Sequence, residues 1–85
     1  MHNRATFDLA VGLALRELCK ERHAMRDQVA EVLELDDLAV TRIETGEETL
    51  SAGGLILLLY LFELSWEEFL RRLKKHLPEA ESEII

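Results

Sequence analysis

The chain has 85 residues, 48% of them apolar and 32% charged, with ten Lys and Arg against seventeen Asp and Glu for a net charge of −7. That apolar share excludes disorder over most of the chain, and the length allows one modest core, which gains stability by association with a second copy. The acidic balance excludes indiscriminate binding of nucleic acid, so a DNA-binding protein of this composition must gather its cations on one face.

The first helix is expected from Phe7 to Arg22, where Val11, Ala14, Leu15, Leu18 and Cys19 follow the spacing of one helical face. Thr6 is placed to cap it and Asp8 falls in its first turn. Gly12 interrupts it at a cost of about 1 kcal/mol relative to alanine. His23 and Ala24 break the pattern. A second helix then runs from about Arg26 to Leu33, directing Val29, Ala30, Val32 and Leu33 inward. Glu34 and Leu35 make a tight turn, and Asp36 caps a third helix from Asp37 to about Thr45, with Val40 and Ile43 inward. Gly46 stands where a helix commonly ends in a left-handed residue.

Ser51 is placed to cap a fourth helix that continues through Phe62. From Leu55 to Phe62 it has no polar face, and a helix apolar all round is covered on more than one side, more than a chain this small supplies. The apolar run Leu55 to Leu64 would rise about 15 Å as a helix, short of a hydrocarbon core of ~30 Å, so a membrane role is not expected. Ser65 and Glu68 form a capping box with Leu64 and Phe69 as its hydrophobic staple. The fifth helix is expected to bury Trp66, Phe69, Leu70, Leu73 and Leu77 and to stop at Pro78. Residues 1–78 then form one domain, and residues 79–85 an acidic tail.

The spacing of these elements resembles the Cro/C1-type helix-turn-helix domain, also called the XRE family, over about residues 11–69. The resemblance rests on Ala30, on Leu33 and Leu35 around the turn, on the run Thr41-Arg42-Ile43-Glu44-Thr45-Gly46, on Ser51 and Leu55, and on Phe62, Leu64 and Phe69. It implies an all-α, five-helix, lambda-repressor-like fold. It also implies a dimeric, cytoplasmic transcriptional regulator whose third helix enters the major groove of DNA. Carried onto this chain, the DNA-contacting residues are Arg26 on phosphate and Asp37, Leu38, Thr41 and Arg42 at the groove. Leu57, Tyr60 and Leu61, where the family usually has outward polar residues, together with Trp66, become the expected dimer interface.

The residues themselves leave a rival open. Between Met25 and Gly46, Arg26 and Arg42 face Asp27, Glu31, Glu34, Asp36, Asp37 and Glu44, and a surface with that balance neutralises few phosphates. The rival is a helix-turn-helix scaffold that has become a protein-interaction module, an antirepressor, adaptor or partner regulator without DNA binding. Glu44 lacks the arginine that the family's first helix often supplies, because Cys19 occupies that place. Arg71, Arg72, Lys74 and Lys75 are read as a solvated face, and Glu17 and Glu21 as partners of Lys20 and Arg16 on a wet helix. Cys19 is read as a core residue. The lone Cys19 and the opening MHNRATFD, which lacks the apolar run of a signal peptide, lead to the expectation of a cytoplasmic protein. His2, His23 and His76 lack metal-ligand spacing, and no catalytic residue, metal or cofactor is assigned.

Overall fold

Asn3 opens the fold with an extended backbone and a side chain that accepts from the Thr6 amide at 2.9 Å. The computed structural model describes residues 3–22 and 25–84, so the expectations that fall on His2, His23, Ala24 and Ile85 lie outside it. Five helices follow in order: α1 (Arg4–Glu21), α2 (Met25–Leu33), α3 (Asp37–Glu44), α4 (Ala52–Phe62) and α5 (Trp66–Ile84), with no strand among the described residues. The first helix therefore starts three residues before Phe7. Asn3, not Thr6, is its cap, and the Thr6 hydroxyl donates to the same Asn3 oxygen from a buried position.

Helix α1 is the axis of the molecule because two of its sides are apolar. Leu9, Ala10 and Leu13 pack with Ala80, Leu73 and Leu77 of α5. Leu15, Leu18 and Cys19 join Val29, Val40, Ile43, Leu58 and Phe62 in the main core. Gly12 lies where α1 crosses α3. A Cβ built there would meet the Ile43 carbonyl oxygen and sit 2.6 Å from that of Glu44. The glycine that weakens α1 as an isolated helix is what lets the two backbones touch.

Three successive helices end in the same way. After α2, the Leu35 amide donates to the Ala30 carbonyl and Glu34 to Glu31. After α3, Glu47 donates to Arg42 and Gly46 to Ile43. After α4, Leu64 donates to Leu59 and Glu63 to Tyr60. These are Schellman closures, each built on a left-handed residue: Glu34 (φ 56°), Gly46 (φ 79°) and Glu63 (φ 55°). Only the second has the glycine that the geometry favours. At the other two, Leu35 and Leu64 pack against the core directly after the turn, which offsets a left-handed cost of about 1–2 kcal/mol for glutamate.

The other three expected caps, Asp36, Ser51 and Ser65, form. The Asp36 carboxylate accepts from the Ala39 amide at 2.8 Å, and the Ser51 hydroxyl from Gly54 at 3.0 Å. The Glu68 amide donates to the Ser65 hydroxyl at 3.2 Å.

Helix α5 departs from expectation twice. It does not stop at Pro78 but continues to Ile84, so residues 79–84 are helix and not a tail. Proline removes one backbone donor and crowds the preceding turn. The helix persists because Ala80, fully buried against Leu9, Ala10 and Leu13, holds the last turns on α1. The expected inward stripe is also too wide. Phe69 is buried and Leu73 and Leu77 partly so, whereas Trp66 and Leu70 are largely exposed.

No helix among the described residues is long and apolar enough to cross a membrane.

Candidate functional site

Helix α3 lies against the core through Val40 and Ile43 and turns Asp37, Leu38, Arg42 and Thr45 outward. Asp36 fixes its first turn, the closure on Gly46 fixes its last, and the Gly12 crossing fixes its approach to α1. Leu38 is the apolar point of the outer face, 57% exposed.

Three of the five residues assigned to DNA contact are tied to one another. The Arg26 guanidinium donates through Nε to Asp37 Oδ1 at 3.0 Å, through Nη1 to Glu44 Oε1 at 2.6 Å and through Nη2 to Thr41 Oγ1 at 2.8 Å. Thr41 in turn donates to the Asp37 carbonyl at 3.0 Å. The Glu44 side chain is only 10% exposed, so Arg26 supplies the counter-charge that a carboxylate at that depth requires. Its hydrogen bond to Glu44, ahead of that to Asp37, outweighs the opposing effect of burial and raises the guanidinium above its ordinary pKa. Arg26 thus staples the start of α2 across the length of α3. The other two assigned residues lie apart from this network: Leu38 stands alone, and Arg42 Nη1 sits 3.5 Å from Glu48 Oε1.

Cys19 lies buried nearby, and burial pushes its thiol above the ordinary value, so it remains a protonated core residue.

The expected dimer interface divides. Gly53, Ile56, Leu57 and Tyr60 form the outward strip of α4, with Tyr60 79% exposed. Ile56, Tyr60 and Trp66 surround one hollow of about 530 Å³, bordered by Glu63 and Ser65. Leu57 lines a different cleft, beside the turn between α2 and α3. Leu61 packs partly buried against the core and contributes little outward surface.

A second charged network, which local spacing did not reveal, joins α1 to α5. Arg72 donates to both oxygens of Glu21 at 2.8 and 2.9 Å and to Glu17 at 2.6 Å, and Lys75 donates to Glu17 at 2.6 Å. Arg72 and Lys75 are therefore not simply solvated, and the two glutamates look across to α5 instead of along α1 to Arg16 and Lys20. Burial alone would raise Glu17, but hydrogen bonds from Lys75 and Arg72 outweigh it and hold the carboxyl below its ordinary value. Arg72 does the same for Glu21. His76 Nε2 comes within 3.3 Å of Glu17 Oε2 but outside hydrogen-bonding geometry. Among the described residues no three His, Cys, Asp or Glu side chains converge as a metal site requires.

Compared with protein-family models, curated proteins and solved structures, the chain matches none.

Proposed function

We propose that the chain is a Cro/C1-type helix-turn-helix regulator of lambda-repressor-like fold, paired with a second copy and presenting α3 to duplex DNA in cytoplasmic transcription control. The pose of α3 carries this reading: a capped helix, joined to α2 by a tight turn, keeps Val40 and Ile43 inside and leaves Leu38, Arg42 and Thr45 open. Two copies joined through Ile56, Tyr60 and Trp66 would offer two such helices to successive major grooves. Leu38 suits a thymine methyl, and Arg42 a guanine edge or a phosphate. Arg26, held by Asp37, Thr41 and Glu44, would meet phosphate in competition with these partners.

An anisotropy titration at low salt against duplex fragments from the protein's own locus tests the reading. Saturable binding at micromolar protein that Leu38→Glu abolishes supports it, and background signal throughout removes the DNA contact. Light scattering tests the pairing. Twice the chain mass of 9.8 kDa is expected, falling to that of one chain in Tyr60→Glu.

A second reading, the same scaffold meeting a protein instead of DNA, is favoured by one observation. With Arg26 engaged internally by Asp37 and Glu44, Arg42 is the one other cation between Met25 and Gly46. Phosphate neutralisation supplies most non-specific DNA affinity, and this surface has little to offer it.

A further inference from the structure

The cleft beside the turn between α2 and α3 is separate from the hollow around Tyr60 and Trp66. Leu33, Leu35, Leu50 and Leu57 line the cleft, and so do the polar Glu34, Glu48, Thr49 and Ser51. Its volume of about 270 Å³ lies under the usual range of small-molecule pockets, ~300–1,000 Å³. That is room for one or two bulky side chains of a larger partner. Leu57 is nearly half exposed at its edge.

Acids outnumber cations around it: Glu34 and Glu48 line the cleft, Asp36 and Glu47 adjoin it in sequence and Asp8 accepts from its Thr49, against Arg42, 3.5 Å from Glu48, and Arg4, which donates to Thr49 at 3.1 Å. Nucleic acid is a poor occupant, because the lining carboxylates would repel its phosphates.

We propose that this cleft docks a cationic segment of another protein, one that seats an aliphatic side chain among Leu33, Leu35 and Leu57 while flanking lysines or arginines meet Glu34 and Glu48. The apolar floor supplies affinity, and the carboxylates supply orientation and a fast, salt-sensitive approach. The proposal rests on the second reading in taking a protein as partner, and it places the contact beside α3 instead of on its outer face. DNA binding by Leu38 and Arg42 can stand or fail without it.

The test is an amide-resolved NMR titration of the isotope-labelled chain. The probe is a synthetic amphipathic peptide with two leucines one helical turn apart, flanked by lysines. Saturable shifts confined to 32–35 and 48–57 are expected. Affinity should fall about tenfold or more in Leu57→Ser and, separately, in the pair Glu34→Lys and Glu48→Lys, and should be unchanged in Tyr60→Glu. Each of these positions is exposed, and the unperturbed remainder of each variant's spectrum reports that it folds.

Any of four outcomes overturns the proposal: no shifts at millimolar peptide, equal binding of a peptide with both leucines replaced by serine, shifts centred on Leu38 or Trp66, or the same shifts from raising the protein concentration alone. The last would make a second copy the occupant. Duplex DNA in a parallel titration reports separately on Leu38, Arg42 and Thr45, so failure of the cleft and failure of the DNA contact are read from different residues.

Discussion

Arg26 and Arg72 each grip two carboxylates, but in surroundings that make the two networks unequal. Arg26 spans 11 to 18 residues of sequence and serves Glu44, whose side chain is 10% exposed. Arg72 spans 51 to 55 residues to reach Glu21 and Glu17, which are 47% and 23% exposed. Water can replace much of what Arg72 gives its partners, whereas it cannot easily reach Glu44. Burial of the acid, more than the number of hydrogen bonds, decides which arginine the fold depends on.

The largest effect should come from Arg26→Met, which keeps the stem and strands Glu44. A loss of about 2–4 kcal/mol in urea unfolding is expected. Most of it should return when Glu44→Gln is added, since the deep charge is then gone. A loss below about 1 kcal/mol would show that Glu44 is solvated and that the two networks are alike.

Gly12→Ala comes next, at about 1–3 kcal/mol. The new methyl meets the backbone oxygens of Ile43 and Glu44, and α3 has to move with its Arg26 network. Altered amide shifts at Thr41 to Glu44 would register the displacement, and an unchanged melting temperature would refute the close crossing.

Arg72→Met should cost about 1 kcal/mol or less at neutral pH. Acid provides the finest test. Glu17 and Glu21 titrate below their ordinary value in the folded chain, so their stabilisation is present above about pH 4.5 and is lost as pH falls through the depressed values. The stability gap between the native chain and Arg72→Met should therefore narrow as pH falls from about 4.5 through those depressed values. A gap constant over that range would mean that the ion pairs contribute nothing.

What could be read from the sequence was what acts within one or two turns. Asp36, Ser51 and the Ser65–Glu68 pair declare helix starts through their own short side chains, and Gly46 declares an end. Glu34 and Glu63 occupy left-handed positions without glycine, held by leucines whose burial is a tertiary fact. Pro78 misleads for the same reason, because the contact that keeps the helix going, Ala80 on Leu9 and Ala10, lies some seventy residues away in sequence. At the candidate site the outward set on α3 was legible from periodicity. The capture of Arg26 was not, since it depends on how two helices cross. Trp66 and Leu70 share the spacing of Phe69 and Leu73, and periodicity alone cannot tell how wide a stripe the neighbours will cover.

Contact between the Gly12 backbone and α3 has one more consequence. A helix seated by main chain against main chain keeps its angle whatever stands on its far side, so Leu38, Arg42 and Thr45 can be exchanged for other side chains without retuning the scaffold. The mount and the surface it carries are separate parts, and the outer face of α3 can change while the rest of the molecule stays as it is.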